Sequence, residues 1–316
     1  MSDPTHLLIA FAGASAPGAR EALRPLPLPH LQKLLNRLQA APPEAVDALC
    51  PEPPHERALA GFLRLDVGPG RTPWAAHQLR LSGGAPGRDA WAWITPCHWR
   101  AGMDHMLMLD PGALHITEAH SRPLLAAMAP FFAEDGVELH YEAPGRWLAR
   151  SALFRDLVTT SLDRVSGRDV AAWMPESPHA RTLHRLQSEM QMLLYTHPVN
   201  DARAEQGLAP VNSFWVSGAG ALPPDSPAPA VSPMVDTTLR EAALRQDWPA
   251  WAQAWQQLDA THCAALMAAQ ERGLAVRLTL CGEHAFQTFE AVPQGLFQKI
   301  SRLFGTIPAS QRLSLL

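Results

Sequence analysis

The chain has 316 residues, 47% of them apolar and 18% charged, which allows a substantial buried core and excludes a largely disordered protein. A net charge of −4 gives no electrostatic footprint for nucleic acid or an anionic membrane, so neither is expected as a partner. Four cysteines with no C-x-x-C pair make no disulfide framework and point to a reducing, cytoplasmic setting.

Leu7–Ala12 reads as a buried first strand stopped by Gly13. The run His6–Ala12 lacks a basic region before it and is too short for a signal peptide or a membrane span. Leu31, Leu34, Leu35 and Leu38 are spaced for an amphipathic helix over 31–40. Prolines recur between Pro42 and Pro54, and another loop runs through Gly83, Gly84, Pro86 and Gly87. Ala90–Ile94 and Met106–Leu109 read as strands.

Thr117 is placed to cap a helix reaching about Ala133, which Gly136 ends. Val137–Tyr141 and Arg146–Leu148 form a hairpin pattern around Pro144 and Gly145. A helix through Leu183, Leu186, Met190, Leu193 and Leu194 must stop near Thr196, because a residue preceding proline is pushed out of the helical region. Asn200 is placed to cap a second short helix closed by Gly207. Val211–Val216 is a strand from which Ser217–Gly220 should emerge. Ala221–Pro233 is rich in Pro, Ala and Ser and reads as a mobile loop or sub-domain boundary. Asp247–Gln270 is a helix carrying a stripe of Trp248, Trp251 and Trp255, for which core packing is the default and a partner groove the alternative. Gly273 ends it, and Leu274–Leu280 is a strand leading to Glu283 and His284. Helix then strand, twice over, predicts one α/β domain over 1–316, its mixed or mostly parallel sheet flanked by helices.

Two regions concentrate polar side chains. His197 follows a helix C-terminus, where the helix dipole favours a protonated ring, and Asn200, Asp201 and Arg203 lie within a turn of it. Asn212 begins the next strand and Ser217–Gly220 would leave its carboxyl end, where open α/β sheets bind ligands. The alternative is that these residues fix a corner through side-chain-to-backbone bonds. Cys97, His98, Asp104, His105 and Asp110 form the second group, without a recognised zinc spacing. No G-x-G-x-x-G, P-loop or G-x-S-x-G pattern is present.

The runs SEMQMLLYTHPVN (Ser188–Asn200) and PVNSFWVSGAG (Pro210–Gly220), with TPCHWRAGMDHM (Thr95–Met106) upstream, resemble RpfE-type bacterial regulatory proteins. The same blocks resemble part of the archaeal-type cofactor-independent phosphoglycerate mutases. The resemblance implies an alkaline-phosphatase-like relative and, for the mutases, two divalent metals held by Asp and His beside a Ser nucleophile. Here the first strand ends in Ala12-Gly13 where the resemblance implies Asp-Gly, and Glu283-His284 stands where it implies Asp-His. The expectation is therefore a regulatory or ligand-binding pseudoenzyme without cofactor or metal, and no catalytic residue is assigned. A small phosphorylated or anionic ligand would meet His197, Asn200, Arg203, Asn212, Ser217, His98, Arg100 and Asp104; a protein partner is a further option. The competing expectation is a divergent phosphomutase or phosphohydrolase binding Mn or Zn through Glu283 and His284.

Overall fold

A computed structural model describes residues 2–176, 180–223, 232–291 and 308–316. Where the sequence pattern suggests one domain, contacts separate two compact units. Met1–Leu63 and Pro229–Leu316 make the first, and Arg64–Ala228 the second. Most of the loop read at 221–233 falls on 224–231, outside the described residues.

In chain order the first unit opens with β1 (Ser2–Ile9), α1 (Pro17–Leu23), α2 (Pro29–Arg37), β2 (Gln39–Ala40), β3 (Glu44–Ala45) and α3 (Pro54–Leu63). The second unit holds α4 (Trp74–Leu81), β4 (Trp91–Cys97), β5 (Trp99–Ala101), β6 (Met106–Met108), α5 (Glu118–Glu134), β7 (Glu138–Ala143), β8 (Arg146–Arg150), α6 (Leu162–Val165), α7 (Ala180–Tyr195), α8 (Pro198–Glu205) and β9 (Ser213–Gly220). The first unit resumes with β10 (Ser232–Asp236), α9 (Arg240–Leu244), α10 (Trp248–Leu258), α11 (Ala264–Glu271), β11 (Arg277–Cys281), β12 (Ala285–Glu290) and α12 (Ala309–Leu313). Among the described residues no helix is long and apolar enough to cross a membrane.

The first unit's sheet is mixed, in the order β10-β1-β11-β12-β2, with β3 also paired to β12. β1 runs parallel to β10 and β11, and β12 returns antiparallel. Leu7, Leu8 and Ile9 are fully buried, as a parallel strand covered on both faces requires. Leu7 and Ile9 share a core with Leu31, Leu34, Trp251 and Trp255, while Leu8 packs with Ala58, Cys281 and Phe286 on the other face. The strand stops earlier than its apolar run suggests, because Phe11 adopts a left-handed φ of 57°. The fold class expected from sequence, mixed α/β with helices on the sheet, is therefore the one observed.

The long helix of the second half is interrupted. Asp259–Cys263 form a π-turn between α10 and α11. Asp259 is there turned to the N-terminus of α2, accepting from the N–H groups of Leu31 (2.7 Å) and His30 (3.2 Å) and from His30 Nδ1 (2.9 Å). The cap that Leu28 cannot provide thus comes from a residue 228 positions downstream of Leu31.

The second unit's sheet, β7-β8-β4-β9, is antiparallel throughout. α5 and α7 cover it through Leu124, Met128, Phe132, Leu183, Leu186 and Met190. Thr117 caps α5 as expected, in a reciprocal box with His120.

Candidate functional site

The region that carries the sequence resemblance begins at the corner between α7 and β9. Asn200 Nδ2 donates to the carbonyls of Leu194 (2.8 Å) and Val211 (2.7 Å), and its Oδ1 accepts from Val211 N–H (2.8 Å). Arg203 is fully buried and donates through Nε and Nη2 to Ala209 O (2.9 and 2.7 Å) and through Nη2 to Leu114 O (2.7 Å). Its Nη1 lies 3.0 Å from His120 Nδ1. His98 Nδ1 donates to Pro210 O (2.9 Å). Asn212 exchanges two bonds with Trp99, accepting its N–H at 2.8 Å and donating to its carbonyl at 2.9 Å. Residues 209, 210 and 211 are held by the side chains of Arg203, His98 and Asn200 in turn, and Asn212 ties itself to Trp99. These polar groups stitch backbone, as the alternative reading of the corner had it.

Three expectations about this corner need correction. The helix after the corner is capped by His197, whose Nδ1 accepts from Val199 N–H (3.2 Å), and Asn200 sits inside α8 rather than at its cap. Pro198 explains the shift, since proline fits the first helical position. At His197, where the helix end is expected to favour the protonated ring, burial instead lowers the pKa, against a smaller opposite effect of Asp201. Finally, Ser217–Gly220 do not leave a parallel strand. They continue β9 in an antiparallel sheet, Ser217 opposite Trp93 and Gly220 opposite Trp91. At Gly218, φ is 61° and a Cβ would lie 2.9 Å from the Trp93 ring and 3.0 Å from Trp74 Cβ, so the missing side chain makes room for indoles. Arg100 and Asp104 are exposed on the β5–β6 hairpin, Asp104 pairing with His105 at 2.8 Å. Cys97 is buried at the end of β4, where desolvation pushes its thiol pKa far up.

Acid should destabilise this unit. His77 is buried on α4, and desolvation together with Arg80 pushes its pKa down to about 4; burial lowers His120 and His197 in the same direction. The unfolded chain then binds more protons than the folded one between pH 4 and 6.5. The stabilising effect of His77 is present above pH 6.5 and is lost as pH falls toward 4, a loss of about 3 kcal/mol. Urea unfolding from pH 7 to 4.5 should show this slope, and His77→Gln should flatten it; an unchanged slope would refute the assignment.

The first unit presents a second set of polar groups where its parallel strands end. Ala12-Gly13 follow β1 without a carboxylate, and their neighbourhood is sealed from behind: the indole N–H groups of Trp251 and Trp255 donate to Phe11 O (3.0 Å) and Ala12 O (3.2 Å). Both indoles are fully buried, so Trp251 and Trp255 belong to the core, while Trp248 packs half-buried against it. At the end of β11, Glu283 Oε2 accepts from Ser15 N–H (3.1 Å) and Oγ (2.6 Å), and His284 Nε2 lies 3.8 Å away. At the end of β10, the buried Asp236 bonds His262 Nδ1 with one oxygen and Thr238 N–H (2.8 Å) with the other. Asp236, His262 and Ser15 escaped the sequence reading. Asp236 and His262 are 26 positions apart, in no local pattern.

The oxygens of Asp236 and the Oε2 of Glu283 already accept protein N–H or O–H groups. Among the described residues of this unit, no three His, Cys, Asp or Glu side chains gather ligand atoms within 4.8 Å of one another.

Comparison with known proteins gives the lineage. The chain is distantly related, over part of its length, to cofactor-independent phosphoglycerate mutases. It is 27% identical over 122 residues to a probable 2,3-bisphosphoglycerate-independent phosphoglycerate mutase of Geobacter sulfurreducens, covering 37% of this chain and 30% of that protein. It is 25% identical over 127 residues to the corresponding mutase of Methanosarcina barkeri, covering 40% and 32%. The matched segment thus spans about a third of these relatives. No family model matches the sequence. Among solved structures, the cofactor-independent phosphoglycerate mutase of Thermoplasma acidophilum aligns over 98% of both chains at 14% identity and a TM-score of 0.39. The PH0037 protein of Pyrococcus horikoshii aligns over 92% of this chain and 88% of its own at 13% identity and a TM-score of 0.43. The relationship to the mutases therefore rests on the sequence matches.

Proposed function

We propose that this protein is a cytoplasmic regulatory or small-ligand-binding relative of the cofactor-independent phosphoglycerate mutases, of the RpfE type, that does without their two-metal catalysis. The observation that supports this most is the carboxyl edge of the first unit's sheet. Metal ligation needs carboxylate and imidazole lone pairs turned to a common point. Here β1 leads into Ala12-Gly13, and the carboxylates of Asp236 and Glu283 are engaged by Thr238, His262 and Ser15. The ligand we assign to it is a small phosphorylated or anionic molecule, since backbone N–H groups beside glycines suit one.

Metal analysis of the purified chain, with mutase and phosphatase assays in manganese or zinc, tests the proposal. Substoichiometric metal and no turnover are the expected results. Stoichiometric metal with turnover abolished by His284→Ala would replace it with the phosphohydrolase reading.

A further inference from the structure

The carboxyl edge of the first unit is covered by the chain itself. Residues 309–316 cross it, with Ala309, Leu313 and Leu316 buried in the core beside Leu31 and Leu280. The backbone lies so close that a Cβ on Gly13 would collide with the Leu313 carbonyl oxygen, and one on Gly282 with the Leu316 backbone oxygen. The Leu316 backbone oxygen accepts two successive N–H groups, from His284 at 2.9 Å and Ala285 at 3.0 Å. Successive backbone N–H groups converging on one oxygen are the geometry of an anion-binding nest. The nest opens directly beyond β11, where α/β sheets take their ligands.

We propose that residues 309–316 are an internal strap whose Leu316 backbone oxygen fills an oxyanion nest, and that a phosphate- or carboxylate-bearing ligand occupies the nest when the strap is displaced. Around it stand Gly13 and Gly282, which leave room for backbone or ligand oxygens, and the half-exposed imidazole of His284. Glu283 is the carboxylate on this turn, and its Oε2 is engaged by the N–H and O–H of Ser15. A ligand that competes with a strap sees only the open fraction of the protein, so its apparent affinity is reduced by that fraction. The strap deepens the ligand-binding reading above and rests on it, because it names the place and the control of that binding.

The test uses the full chain, Gln32→Ala, and a chain ending at residue 308, with inorganic phosphate as the probe. Gln32 Oε1 accepts from Ala309 N–H at 2.7 Å, so Gln32→Ala loosens the strap without touching the nest and remains informative if the shortened chain does not fold. Hydrogen exchange at His284 and Ala285 reads strap opening, and calorimetry reads phosphate binding. Faster exchange and roughly tenfold tighter phosphate binding are expected in the shortened chain, with a smaller gain of the same sign in Gln32→Ala. Phosphate should also speed exchange within 309–316 of the full chain. Unchanged exchange at both amides in Gln32→Ala and in the shortened chain would overturn the strap. Faster exchange without any gain in phosphate binding would overturn the nest as its site. Phosphate binding equally well to all three chains would overturn the occlusion while leaving the ligand-binding reading intact.

Discussion

Arg203→Ala is expected to lower the stability of the second unit by about 3–5 kcal/mol, from two carbonyls left without a charged donor, at about 1–3 kcal/mol each, and from lost packing. The guanidinium is fully buried and joins three separate stretches: Ala209 by two bonds, Leu114 by one, and His120 through Nη1. Truncation leaves the buried Leu114 carbonyl and the half-buried Ala209 carbonyl without this donor and opens a void the size of a long side chain. Burial already lowers the pKa of Arg203, a sign that the charge pays a desolvation cost which only this bonding offsets. Arg203→Lys should recover only part of the loss, because a single ammonium cannot reproduce a planar fork aimed at two carbonyls and a ring nitrogen. Urea unfolding gives the magnitude, and hydrogen exchange over 194–216 gives the place. A loss below about 1 kcal/mol in Arg203→Ala would mean that His98, Asn200 and Asn212 suffice to hold the 209–212 segment.

That rivet also explains what the sequence could and could not reveal. Elements with local signals were legible: the Thr117 cap of α5, the hairpin at Pro144 and Gly145, the leucine spacing of α2 and α7, and the ending at Gly273. α1, α3 and α10 each have proline in their first turn, but only α10 also carries a long apolar stripe; α1 and α3 therefore drew no helix expectation. β10 was hidden for a related reason. Pro233 argues against a central strand, yet β10 lies at the sheet edge, where a missing N–H is tolerated. Asp259 capping α2 and Asp236 bonding His262 depend on chain crossings that no spacing rule encodes. The blocks at 188–200 and 210–220 could be read as motifs, but a motif does not state where its hydrogen bonds point. An asparagine facing a ligand and one facing a peptide look the same in one sequence, and here Asn200 and Asn212 face peptides.

Trp255→Ala is expected to cost the first unit about 3–5 kcal/mol, as for other fully buried tryptophans cut to alanine. Trp255 has no exposed surface, packs edge-on to Trp251 at 6.3 Å between ring centroids, and donates its indole N–H to Ala12 O at 3.2 Å. Removing it creates a cavity and frees a carbonyl in the segment that carries Phe11 at a φ of 57°. Trp255→Phe separates the two contributions. It keeps most of the ring volume and deletes the donor, so a loss of about 1–2 kcal/mol is expected, close to that of one buried hydrogen bond with slight underpacking. Because the same segment leads through Gly13 to Ser15, which bonds Glu283, the loosening should reach the sheet edge. Faster amide exchange at Ala12 and Ser15 in Trp255→Phe, with the Leu278–Leu280 amides unchanged, is the expected pattern. Equal acceleration in both places would mean that the indole supports the whole core and has no specific hold on the β1 loop.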